Sequence, residues 1–280
     1  MPALEFEPFL WIKKIIAVAV ILQGLELLRI RRTYASDGIW VWATLRKEFE
    51  IFPGVFQRFL NVTLDYPHFL VLLLVQIGFA LVLLLTDRSS PAVVICVLFA
   101  SMLTSLRWRG TFNGGADYMT VLVLMILSIA ELFRSKESVR LGCLWYLSIQ
   151  TMMSYFIAGA VKFKNADWRT GRALRRFLSG PPYDPPAFFA GISKKPGLLL
   201  LGSWGVMLFE LSFPLAIVKP GLCAGFLCMA LVFHLLNHAT FGLNRFLFAW
   251  SAAYPAILWA GWNSLSVFGS VLHAGNTLHC

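Results

Sequence analysis

Lys162 is the residue of this sequence most open to chemical work. It ends an apolar run, Tyr155-Phe156-Ile157-Ala158-Gly159-Ala160-Val161, and is followed by Phe163-Lys164-Asn165-Ala166-Asp167-Trp168. A lysine at the end of a membrane helix can simply snorkel, with its stem in lipid and its ammonium in water. A lysine held partly out of water behaves differently. Burial disfavours the charged form, so the amine can serve as a base or pair with an anionic ligand. Gly159 and Ala160 are small enough to let a neighbouring helix come close. A lysine that only snorkels has no need of that neighbour, so Lys162 is expected within reach of a polar partner inside a helix bundle.

Three other groups of polar residues stand in apolar surroundings. Glu210 lies within Phe209-Glu210-Leu211-Ser212-Phe213-Pro214. An acid there is costly in lipid and is expected to face the bundle interior beside a partner, with Pro214 bending the helix nearby. Glu26 is a weaker case, since Arg29 could neutralise it. His234 and His238 are four residues apart and share a helix face, with Asn237 between them. That spacing can support a metal, but no H-E-x-x-H surrounds it. Hydrogen-bonded structural histidines or ligand contacts are the other readings, and no metal site is assigned. The fourth group is Asn113-Gly114-Gly115-Ala116-Asp117, preceded by Arg107 and Arg109. It reads as a turn with Asp117 capping the next helix. It also reads as a place where the glycines admit a ligand contacted by Asn113 and Asp117.

The elements that must carry these residues follow from composition. Of 280 residues, 58% are hydrophobic and only 14% charged. Soluble domains carry roughly 25% charged residues, so a water-soluble fold is excluded. Candidate spans cover roughly residues 12–28, 68–85, 92–106, 118–133, 141–161, 197–218, 221–236 and 246–262. An all-α polytopic bundle of about eight spans is expected, as a single domain over residues 1–280. Residues 92–106 are short enough to be tilted or partly re-entrant. Residues 33–66 mix Trp40, Trp42, Phe49, Phe52, Phe56 and Phe59 with charges and are expected to lie as an amphipathic helix on the membrane surface. Residues 163–195 begin with a cationic stretch and pass through Gly180-Pro181-Pro182-Tyr183-Asp184-Pro185-Pro186. A surface helix followed by a rigid loop over one face of the bundle is expected there.

The net charge of +10 would suggest nucleic acid in a soluble protein. Here the cations cluster between apolar segments, as in Arg29-Ile30-Arg31-Arg32, and suit lipid headgroups. No nucleic-acid partner is expected. If eight spans cross, one face carries about 17 of the 24 Lys and Arg, which makes it cytoplasmic by the positive-inside rule. Cys96, Cys143, Cys223 and Cys228 lie in apolar runs and read as small core residues. No cleavable signal peptide is expected; the first apolar stretch is read as a retained helix.

The polar groups, taken in order, resemble a known family. Tyr155-Phe156-Ile157-Ala158-Gly159, Lys162, Ala166-Asp167-Trp168 and Gly171 resemble a stretch of vitamin K-dependent γ-glutamyl carboxylase. Phe233-His234-Leu235-Leu236-Asn237 resembles a later helix of that enzyme. Phe209-Glu210 with Pro214, and the Asn113–Asp117 turn, look like the broader family named after the horizontally transferred transmembrane (HTTM) domain. In the carboxylase the motif holds two adjacent lysines, one proposed to deprotonate the reduced quinone. Lys162 falls on a family lysine whether counted from Gly159 or from Trp168, and Lys164 does not. Gly114 stands where the family enzyme has a histidine.

The resemblance implies a membrane-embedded enzyme acting on or with a quinone, a lipid or a membrane-associated peptide. Lys162 is its expected base, and Asn113, Asp117, Glu210, His234, Asn237 and His238 are its expected ligand contacts. A reduced quinone is the implied cofactor, and the cell membrane the expected location. The chain is expected to lack the large lumenal part that captures the carboxylase's peptide substrate, so glutamate carboxylation itself is not the expected activity. A second reading is a non-enzymatic maturation or assembly factor for a small exported peptide, as some short bacterial members look to be. A small transporter is a third, disfavoured because no internal repeat is visible.

Overall fold

The computed structural model describes residues 6–108, 114–180 and 185–264. Among these no strand occurs. The chain runs α1 (Pro8–Arg29), α2 (Trp42–Leu45), α3 (Gly54–Leu64), α4 (His68–Leu85), α5 (Pro91–Trp108), α6 (Gly114–Leu132) and α7 (Glu137–Lys164). It continues through α8 (Ala166–Arg169), α9 (Arg172–Leu178), α10 (Ala187–Ile192), α11 (Pro196–Ser212), α12 (Pro220–Phe241) and α13 (Asn244–Ser251). A last helix, α14, covers 254–264.

Seven of the described helices are long and apolar enough to cross a membrane: α1, α4, α5, α6, α7, α11 with its following turn, and α12. The protein is a polytopic helical membrane protein. The expected eighth span, 246–262, is broken at Ala252 and Ala253 into α13 and α14. Pro255 accounts for the break. It has no N–H to donate and its ring would clash with the carbonyl of Ser251 in a continuous helix, whereas it is tolerated in the first turn of a new one. Pro214 acts in the same way, ending α11 in a 3-10 turn, Phe213–Ile217. The short segment 92–106 is one regular helix, α5, of 18 residues.

The chain forms two compact units. The first comprises Met1–Cys143 and Asn244–Ala252, the second Leu144–Leu243 and Ala253–Cys280.

In the first unit α1 packs against α4, α6 and α13. Its Ile12, Ile16, Ala17 and Val20 are fully enclosed. Gly24 lets α4 come near: a Cβ there would lie 2.6 Å from Ile77 Cγ1. The expected surface helix over 33–66 is instead a string of short pieces, because Gly38 and Pro53 interrupt it. Those pieces enclose Tyr34, Trp42, Leu60 and Leu64, packed with Phe69, Leu73 and Leu103. Arg107 enters this cluster. Its Nε donates to Leu64 O at 3.0 Å and its Nη2 to Trp40 O at 2.5 Å. Its guanidinium lies 4.9 Å from the centre of the Tyr34 ring and 5.5 Å from that of Phe69. Burial pushes the Tyr34 phenol above its usual range.

In the second unit α7 runs beside α11, and Tyr155, Phe209, Phe213 and Phe226 interlock between helices. Tyr155 stacks on Phe213 with ring centres 4.0 Å apart, and Phe209 meets both at 5.8 and 5.5 Å. Gly261 of α14 admits Cys223 of α12, whose Sγ would lie 2.8 Å from a Cβ at that glycine.

Candidate functional site

The site is built on three residues of α7 that recur on one helix face, Tyr155, Gly159 and Lys162. Gly159 fixes the distance to α11. A Cβ there would lie 2.8 Å from Leu211 N and 2.9 Å from Glu210 Cβ, so only glycine allows the two backbones this approach. One turn on, Lys162 Nζ donates to both carboxylate oxygens of Glu210, each at 2.7 Å. The Glu210 side chain is 4% exposed, and the Lys162 side chain 21%. Glu210 is therefore the buried member of the pair, and Lys162 the partly exposed one.

Trp168 sits beside that ammonium, its ring centre 5.4 Å from Nζ. The turn that brings it there has its own logic. Asn165 caps α8 by accepting from Asp167 N at 2.8 Å, and Gly171 takes a left-handed backbone with φ of 74°. The same glycine lies against Leu199, 3.0 Å from where its Cβ would be. The expected surface helix is thus split into α8 and α9, and Ser203 Oγ donates to Trp168 O. Asp167 pairs with Arg172 at 2.9 Å and Arg176 at 2.7 Å, leaving both guanidinium groups largely exposed. Positions 181–184 of the proline-rich stretch lie outside the described residues.

Two turns back along α7, Tyr155 Oη lies 2.6 Å from His234 Nε2 and 3.1 Å from Tyr254 Oη. His234 is 1% exposed and Tyr155 3%. Histidine, two phenols and the Phe209–Phe213 rings form one enclosed layer of the second unit.

Asn237 donates to Phe233 O of its own helix at 2.8 Å and is half-buried. His238 is exposed. Asp117 belongs to the first unit, where its Oδ1 accepts from Gln23 at 2.8 Å and from Arg245 Nη1 at 2.6 Å. Arg245 also pairs with Glu26 at 2.9 Å, and Gln23 continues the network to Gln76, Ser101 and Thr104. Asn113 lies outside the described residues. Among the described residues no group of three His, Cys, Asp or Glu could hold a metal ion.

Sequence reasoning missed Tyr155, Tyr254, Trp168 and Arg245 as partners. Tyr155 carried a usable signal, lying seven residues before Lys162 and four before Gly159. Arg245 carried one too, as a cation at the start of an apolar segment.

Comparison with known proteins adds one finding. The family model described as HTTM domain matches residues 125–262. Neither the curated proteins nor the solved structures give a match to this chain. The matched stretch holds Tyr155, Gly159, Lys162, Glu210 and His234, and excludes Asn113 and Asp117. The helices that carry the Lys162–Glu210 pair therefore lie within the stretch that matches the HTTM-domain model.

Proposed function

We propose that the protein is a membrane-embedded enzyme in which Lys162 and Glu210 act together as a proton-accepting pair toward the weakly acidic hydroxyl of an amphipathic ligand. The observation that carries this reading is the asymmetry of the pair: a buried carboxylate behind a lysine that keeps about one-fifth of its side chain exposed. An ammonium alone cannot accept a proton. With the carboxylate at 2.7 Å, the proton can pass from Nζ to Glu210, removing two buried charges at once and leaving a neutral amine. Nζ then takes the ligand's proton. The resulting ammonium, beside a protonated Glu210, offsets the negative charge left on the ligand.

A reduced quinone, the cofactor that the family resemblance implies, fits this donor set. Its hydroxyl is weakly acidic, its ring is apolar, and the Trp168 face and the half-exposed Phe163 and Trp204 rings, 6.0 Å apart, offer stacking surface. When bound, such a group would supply redox chemistry with oxygen. Lys162 and Glu210 would take its proton, and Trp168 would orient it.

The test uses the whole chain in vesicles, supplied with a reduced naphthoquinone, with oxygen consumption as the readout. The wild-type protein should consume oxygen in a quinol-dependent way. Lys162→Met/Glu210→Gln, which replaces the ion pair without leaving a lone buried charge, should fold and show only the background rate. If that double variant is as active as wild type, the pair has no role in proton transfer.

One observation favours a second reading, a non-enzymatic maturation or assembly factor for an exported peptide. The bidentate grip of Glu210 on Lys162 is also what a structural ion pair looks like. On that reading Lys162→Ala would retain whatever maturation function is measured.

A further inference from the structure

We propose that the first unit carries a lipid site of its own, selective for a bilayer lipid with a phosphoethanolamine-type headgroup. The proposal does not rest on the role of Lys162, since every residue in it belongs to the first unit. A cavity of about 250 Å³ opens among the short helices that follow α1, lined by Trp42, Arg46, Phe49, Glu50, Gln57 and Asn61 among others. Water takes about 30 Å³ in the liquid, so the space suits a small polar group and exceeds what one ion needs. It falls short of the roughly 300–1,000 Å³ of pockets that enclose drug-sized ligands.

The lining defines the chemistry. Trp42 is 1% exposed, and its Nε1 donates to Asn61 Oδ1 at 2.8 Å, which fixes the floor. Gln57 Nε2 donates to Glu50 O at 2.9 Å and Phe52 O at 2.7 Å, which fixes the rim. Arg46 and Glu50, which carry opposite charges, both line this space. Neither forms an ion pair among the described residues, with each other or with a third group. A guanidinium prefers a phosphate, and a carboxylate nearby prefers an ammonium. A headgroup carrying both, a few bonds apart, satisfies both.

The depth of the protein decides for a bilayer lipid. Residues 30–67 link α1 to α4, both of which span, so the cavity lies at one membrane face. From its edge a row of rings leads away: Phe49 to Phe52 at 6.3 Å, Phe52 to Phe56 at 5.2 Å, Phe56 to Phe59 at 6.2 Å, and Phe59 to Phe99 at 6.1 Å. Phe56 and Phe59 are each 38% exposed and Phe99 53%. Phe99 is at the middle of the 18-residue α5. At 1.5 Å per residue that is roughly 13 Å from the helix end, close to half of a hydrocarbon core about 30 Å thick. A charged cavity at the surface thus continues into an exposed aromatic track that reaches mid-bilayer, as a headgroup continues into an acyl chain.

The experiment reconstitutes the full chain into vesicles of equal parts phosphatidylethanolamine, phosphatidylglycerol and phosphatidylcholine, extracts it mildly, and reads retained lipid by native mass spectrometry. Hydrogen exchange over residues 46–61 in the intact bilayers reads the same site without extraction, and melting temperatures show that each variant is folded. Wild type should retain one phosphatidylethanolamine in preference to the others. Glu50→Gln should lower that preference over phosphatidylglycerol by about tenfold, the scale of one charge-assisted contact. Arg46→Ala should lose the bound lipid. Phe99→Ala should weaken retention of every lipid without changing the order. Exchange over residues 46–61 should be slowed by phosphatidylethanolamine in wild type and not in Glu50→Gln. The proposal is overturned if folded wild type shows neither a preferred adduct nor lipid-dependent protection. It is equally overturned if phosphatidylglycerol is preferred, if a peptide is the bound species, or if Arg46→Ala and Glu50→Gln leave the preference unchanged.

Discussion

At the level of single residues the protein stakes most on charges it has buried. Lys162 reads from sequence as a lysine in need of a partner, because Gly159 and Ala160 precede it. Which partner could not be read, since Glu210 lies 48 residues away. Removing one member of such a pair leaves the other uncompensated, at a typical cost of 3–5 kcal/mol. The same holds for Arg245, 6% exposed and shared between Asp117 and Glu26. Arg245→Ala should therefore lower stability by about 3 kcal/mol or more, seen as an early melting transition of the detergent-solubilised protein. Arg245→Ala combined with Asp117→Asn should recover much of it. If Arg245→Ala melts like wild type, the network is not holding the first unit together. Asp117 shows the limit of a local reading. Its place in the first turn of α6 was visible in the sequence, and its tie to a residue 128 positions later was not.

Helices and their junctions explain why the site has the geometry it has. Gly159 sets the spacing of α7 and α11, so any side chain there must push Glu210 away from Lys162. Gly159→Val should cost about 1–3 kcal/mol through overpacking and should abolish activity even where the protein still folds. Normal activity in a folded Gly159→Val protein would show that the close approach is unnecessary. The periodic apolar stretches made the long helices legible in the sequence, to within a few residues at each end. The broken segments were less so. Pro255 splits the expected last span, and Gly38 and Pro53 divide the expected surface helix, because these residues act through the backbone and leave the apolar pattern intact. A junction also supplies a pH prediction. Between α4 and α5 the Lys14 ammonium, 2.7 Å from the Asp87 carboxylate, holds that carboxyl below its usual value. A depressed folded-state value means that the contribution is full above the unfolded pKa, near 4, and is lost as the pH falls through the folded one. Hydrogen-exchange protection at residues 86–90, measured relative to the intrinsic amide rate at each pH, should therefore fall on acidification below about pH 4. That loss of protection should be absent in Lys14→Gln, and its persistence there would mean that another group controls the junction.

For the molecule as a whole, composition alone demands a membrane bundle, and seven described helices meet the requirement of length and apolarity. What composition could not show is that the polar residues serve two different units. Asp117 is held in the first, and Lys162, Glu210 and His234 are held in the second. The Lys162–Glu210 pair lies in the HTTM-matched part, and the row of rings from Phe49 to Phe99 in the helices before it. The proposed chemistry stands or falls on Lys162 as a proton acceptor, and Lys162→Arg tests this most directly. Arginine can keep the ion pair with Glu210 and so keep the fold, but its guanidinium stays protonated under any working condition. In vesicles supplied with a reduced naphthoquinone, Lys162→Arg should melt within a few degrees of wild type and consume oxygen at the background rate. Full activity in that variant would contradict the account, leaving Lys162 as a fixed charge and the proton-transfer role without support.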